Sequence, residues 1–115
     1  IIYKTEFDNQ GSGAVLRLNR PSGTLFKIRV NGADAGDILW RPYVLDITPF
    51  LKPGVNEIEI EVVSSLQNAW GPLHEKTGDD NMWCGPNAFE DEHMMREEIN
   101  IFPYGLLGGA EIVLA

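Results

Sequence analysis

Seven side chains of this 115-residue chain have the chemistry of a sugar-contact surface: Trp40, Arg41, Tyr43, Asn68, Trp70, His74 and Trp83. An aromatic ring packs on the apolar C–H face of a pyranose, while Arg, Asn and His exchange hydrogen bonds with its hydroxyls. Trp40, Arg41 and Tyr43 cluster around Pro42, and Asn68, Trp70 and His74 follow the clearest strand pattern of the chain. Each group has a second reading. Trp40 and Tyr43 are the kind of large aromatics that dominate a small core or pack against an adjoining domain. The later residues equally fit the inside of their own loop or a protein interface, where Trp and Arg are enriched.

Other chemistries find less support. His74, Cys84 and His93 match no zinc spacing, and a structural zinc site normally needs four ligands. Asp79 and Asp80, beside Asn81, offer hard oxygens for calcium but form no recognised loop pattern. Glu57, Glu59 and Glu61 alternate with Ile58, Ile60 and Val62. Such carboxylates are about 7 Å apart along a strand, and they read as the wet face of a half-buried sheet rather than a metal site. Cysteine catalysis would need a base within reach of Cys84 and an oxyanion site, and no such set is apparent. Gly11-Ser12-Gly13 and Gly105 to Gly109 lack the strand–loop–helix context of a phosphate loop. The residues therefore predict a binding or structural domain, not an enzyme.

Composition narrows the partners. Nine basic against 17 acidic residues give a net charge of −8, which repels nucleic-acid backbones and anionic membrane surfaces. No apolar run approaches membrane length. One cysteine excludes an intrachain disulfide framework. Apolar residues make up 43%, enough for one core, although a domain of this size buries only about 65% of its unfolded surface. The chain opens Ile1-Ile2-Tyr3 without an initiator Met, which fits a piece of a longer protein.

The positioning elements are mostly short strands. Segments 1–8 and 14–19 read as strands, separated by the turn cluster Asn9 to Gly13. Arg20-Pro21-Ser22-Gly23 reads as another turn. In 24–31, Phe26, Ile28 and Val30 share one face and Lys27 and Arg29 the other. Asn31-Gly32 signals a two-residue hairpin turn. Segment 36–41 reads as a short strand ending at Pro42, and 49–52 as one helical turn with Asp46 or Thr48 as its cap. Segment 56–65 is the plainest strand. Residues 66–98 have no steady period and are too long for a plain connection, so this loop is expected to be functional or ordered by a partner. One or two helical turns are expected within 88–98, and strands at 99–102 and 110–114. Evenly spaced short strands with Gly and Pro turns predict an all-β sandwich of a single domain.

Asn31 to His74 carries a family pattern. A strand ends Val30-Asn31-Gly32, Gly36-Asp37-Ile38-Leu39 follows, and Pro42 leads to Asp46-Ile47-Thr48. A single helical turn, Gly54-Val55-Asn56 and a long strand come next. Asn68-Ala69-Trp70-Gly71-Pro72-Leu73-His74 resembles an N-x-x-G-P-x-H variant. Over residues 24–74 the chain resembles the galactose-binding-like β-sandwich modules of large glycoside hydrolases. These are the sugar-binding domain of glycoside hydrolase family 2 enzymes and related modules of bacterial rhamnosidase-type enzymes. The resemblance implies a jelly roll of eight or nine strands, non-catalytic, joined to a catalytic domain of the same chain. It also implies carbohydrate as ligand in some members and pure support in others, a periplasmic or extracellular bacterial setting, and in many members a structural calcium. The motif residues themselves have structural duties: positive φ at Asn31-Gly32, initiation of the helical turn at Asp46, and a sharp return at Gly54 and Asn56. The match therefore speaks to fold more than to function.

Overall fold

The computed structural model describes residues 1–70 and 97–114. They fall into two compact units, Ile1–Ser64 with Tyr104–Ala115, and Ser65–Pro103. The first unit is all-β and sandwich-like. Its strands are β1 (Ile2–Asn9), β2 (Ala14–Leu18), β3 (Pro21–Ser22), β4 (Leu25–Val30), β5 (Ala33–Ile38), β6 (Val44–Asp46), β7 (Gly54–Val63), β8 (Gly105–Leu106) and β9 (Ala110–Leu114). One antiparallel sheet has the order β1-β7-β4-β5, a second β6-β2-β9, and β3 pairs with β8.

Period-2 alternation builds the core. Phe26, Ile28 and Val30 of β4 and Ile58, Ile60 and Val62 of β7 all point inward and are buried. They join Ala14, Leu16 and Leu18 of β2, with Ile38 and Ile47, in one cluster. Each large apolar side chain buried this way contributes about 1.5–3 kcal/mol relative to its exposed state.

The Asn-Gly turn forms as its sequence predicts: Asn31 has φ 52° and Gly32 φ 80°, the left-handed pair that a two-residue hairpin needs. Pairing resumes at once, with Val30 opposite Ala33. The following strand is therefore Ala33–Ile38 rather than the expected 36–41, and Trp40 and Arg41 lie beyond it in a bend.

The helical turn is a 3-10 turn over Thr48–Phe50, with Ile47 at the N-cap position and no side-chain cap bond there. Asp46 instead accepts the Thr48 N–H at 2.9 Å. The Thr48 hydroxyl accepts from the Ala14 N–H at 3.0 Å, which pins the turn to β2. Asn56 binds the other side. Its Oδ1 accepts from Asn31 Nδ2 and the Lys52 N–H, and its Nδ2 donates to the Lys52 and Gly54 carbonyls, all at 2.8–2.9 Å. Asn31 also donates to the Phe50 carbonyl and accepts from the Glu57 N–H. The motif asparagines thus knot hairpin, turn and β7 together.

The acidic row of β7 faces away from the core, as expected, but is not uniformly wet. β7 is a central strand, so Glu59 lies between Lys4 of β1 and Arg29 of β4 and is only 9% exposed. Arg20 to Gly23, expected as a plain turn, includes the two-residue pairing of β3 with β8.

In the second unit, α1 (Gln67–Trp70) is a single turn. Asn68 Nδ2 donates to the Phe102 carbonyl at 2.7 Å, and the Phe102 N–H donates back to Asn68 Oδ1 at 2.9 Å. Residues 99–102 form no strand, contrary to expectation: at Phe102 this side-chain amide, not a neighbouring strand, satisfies the backbone. The helical turns expected in 88–98 fall almost wholly outside the described residues. Among the described residues no helix is long and apolar enough to cross a membrane.

Candidate functional site

The bend after β5 carries the first group of candidates. Trp40 is 72% exposed, so it is not core. Tyr43 is half-buried and packs on the core, its ring edge-on to Phe26 with centroids 6.1 Å apart. Between them the Arg41–Pro42 peptide is cis. Arg41 is exposed, with no hydrogen-bond or ion-pair partner among the described residues.

Two open depressions meet at Pro42 and Val44. The larger, about 470 Å³, has Arg17, Leu18 and Asn19 on one side and Arg41 to Val44 on the other. The smaller, about 160 Å³, runs from Asp37 through Trp40 to Val44. The larger depression is fixed by backbone contact, because the Leu18 N–H donates to the Tyr43 carbonyl at 2.9 Å. Its far rim is also ordered: Asn19 Nδ2 donates to Glu111 Oε1 at 2.7 Å, and Arg17 lies 3.8 Å from Glu111 Oε2. This surface combines a free indole face, guanidinium and amide donors, and acidic acceptors at Asp37 and Glu111. A saccharide face and its hydroxyls ask for that mixture.

Arg17, Asn19 and Glu111 were not among the sequence-predicted residues. Outward alternation on β2 marks Arg17 as exposed, but its nearness to Arg41 depends on β2 pairing with β6, which no local pattern states. Asn68 lies in the other unit with both ends of its amide spent on Phe102. Trp70 closes α1. His74 and Trp83, the calcium candidates Asp79 and Asp80, and Cys84 and His93 lie outside the described residues. Among the described residues no group of three or more His, Cys, Asp or Glu side chains is placed to hold a metal ion.

The Glu59 cluster is the strongest electrostatic feature. Lys4 Nζ lies 2.6 Å from Glu59 Oε2, and Arg29 donates to Oε1 at 3.0 Å. The hydrogen bond from Lys4 holds the Glu59 carboxyl below its ordinary range despite the opposing effect of burial, and the same bond raises Lys4. Each Glu59 oxygen is engaged by one cation, and the triad ties three strands together. Asp46 is also held low, by the Thr48 hydroxyl and then its backbone N–H.

No protein-family model matches the chain, and no curated protein matches it. Solved structures do. The fold recurs inside glycoside hydrolases. A rhamnosidase from Novosphingobium sp. PP1Y matches with TM-score 0.63 and 28% identity, over 96% of this chain and 10% of that one. A β-glucuronidase from Bifidobacterium dentium matches with TM-score 0.55 and 19% identity, over 96% and 20%. A β-D-mannosidase from Dictyoglomus thermophilum matches with TM-score 0.52 and 18% identity, over 98% and 15%. The latter two show the fold alone. The chain spans a tenth to a fifth of the hydrolase chains it matches.

Proposed function

We propose that this chain is a non-catalytic carbohydrate-binding accessory module of a glycoside hydrolase, of the galactose-binding-like jelly-roll type, working outside the cytoplasm beside a catalytic domain of the same protein. The observation that carries the reading is the exposed Trp40 indole beside a depression lined with Arg and Asn donors. Likeness to a small part of several glycoside hydrolases supports the setting. Trp40 supplies the stacking face, Arg41, Arg17 and Asn19 the hydroxyl donors, and Tyr43 anchors the bend to the core.

A second reading rests on the same patch. Leu39 and Trp40, 50% and 72% exposed, with Pro42 and Val44 also form an apolar surface that could seat a catalytic neighbour. Calorimetry of the chain against a panel of plant and bacterial oligosaccharides separates the two. Measurable binding that Trp40→Ala weakens about tenfold, the scale of a lost stacking contact, supports sugar recognition. No binding to any glycan, with loss of activity when the module is deleted from its parent protein, supports packing instead.

A further inference from the structure

The two edges of the four-stranded sheet are built differently. β5 is guarded: its register against β4 slips at a bulge between Ile28 and Arg29, and Asp34 and Asp37 line it. Bulges and edge charges are the usual protection against unwanted strand pairing. β1 also carries charges, at Lys4, Glu6 and Asp8, but it has no bulge. It pairs one-to-one with β7 over eight residues without a slip, and among the described residues nothing pairs with its other side.

The direction of its backbone groups follows from its first contact. The Ile1 N–H donates to the Val62 carbonyl, and the Val62 N–H donates to the Ile1 carbonyl. Ile1 and Val62 thus exchange both bonds, and the alternation of an antiparallel ladder aims odd-numbered residues at β7. Ile2, Lys4, Glu6 and Asp8 therefore turn their N–H and C=O groups to the open edge. On the side-chain level, Tyr3 remains 37% exposed although it lies on the core-facing side opposite Ile60. Glu6 stands directly opposite Glu57, an unfavourable like-charge pair, and has no cation partner among the described residues.

We propose that β1 is the contact between two copies of this chain, paired antiparallel about a twofold axis at Thr5. In that register Lys4 faces Glu6′ and Glu6 faces Lys4′, so each Glu6 gains the cation its own sheet denies it. Tyr3 faces Phe7′ on the core side, twice, and covers its exposed edge. Thr5 meets Thr5′ at the axis. The outward-aimed residues fall opposite one another, Ile2 with Asp8′ and Lys4 with Glu6′, so the ladder closes with about eight backbone hydrogen bonds, two for each narrow pair. The contact is isologous and closes on itself, merging two four-stranded sheets into one.

Sedimentation equilibrium of the chain from micromolar to sub-millimolar concentration tests this. The expected mass rises from 12.8 kDa toward twice that value. Glu6→Pro removes an edge N–H that β7 does not use, and proline is tolerated at such a position. This variant is expected to stay monomeric with its circular dichroism unchanged. Independently, in a Cys84→Ser background, Thr5→Cys is expected to form a disulfide-linked dimer, since a facing non-hydrogen-bonded pair has Cα atoms about 4.5 Å apart. Glu6→Cys, which faces Lys4′ instead, is not. A chain that remains at 12.8 kDa throughout, a Glu6→Pro variant that associates like the parent, or equal cross-linking at positions 5 and 6 overturns the proposal.

Discussion

The Asn56 side chain has no exposed surface, and both ends of its amide are fully used. Alanine there would strand the Lys52 N–H, two carbonyls and the Asn31 amide, so Asn56→Ala is expected to cost about 3 kcal/mol in urea unfolding. Asn56→Asp keeps the acceptor and loses both donors, and it should destabilise as well. Glu59 makes a pH prediction. Its folded carboxyl is held below the unfolded value of about 4.3, so its stabilising effect is complete above that pH and fades as pH falls through the folded value. Lys4, raised by the same bond, contributes below its unfolded value of about 10.4 and loses that contribution as pH rises through the folded value. Lys4→Met should therefore flatten both flanks of the stability profile, as measured by urea midpoints across pH. Unchanged flanks would show that the triad contributes nothing.

At the level of elements, β7 holds the larger sheet together because it pairs with β1 on one side and β4 on the other. Its inward residues are core and its outward Glu59 joins both neighbours. Ile60, 4% exposed, should cost about 2–5 kcal/mol when cut to alanine. Val55 sits on the same strand at 56% exposure, and Val55→Ala should be nearly neutral. Equal losses at the two sites in chemical denaturation would contradict the inward face assigned here. β4 and β7 were legible in the sequence down to the facing of each residue, because strict alternation of apolar and charged side chains admits one orientation. The strand after the hairpin begins three residues before its side-chain pattern predicts. Ala33, Asp34, Ala35 and Gly36 are residue types that strands disfavour, and the pairing across the Asn-Gly turn draws them into the sheet.

For the whole molecule, the site and the stabilising framework are separable. Trp40 is excluded from the core cluster, so Trp40→Ala should leave thermal stability within about 0.5 kcal/mol while removing the stacking face. A large drop in melting temperature would instead make Trp40 a structural residue. Tyr43 behaves oppositely, since its ring packs on Phe26. Sequence proximity placed both in one candidate group. The fold gave them different work, because successive residues in a bend point to different surroundings. Arg17, Asn19 and Glu111 reach the same surface from β2 and β9, and their arrival depends on strand order.

By itself the sequence determined the all-β class, the Asn-Gly hairpin and the inward faces of β4 and β7. These follow from local chemistry: side-chain period and the φ preferences of Asn and Gly. Only the tertiary structure decided that Glu59 is clamped rather than solvated, that Trp40 stands free while Tyr43 is packed, and that Arg17 and Asn19 join Arg41 around one depression. Each of these depends on which strand lies beside which, and that order is set by contacts between residues far apart in the chain.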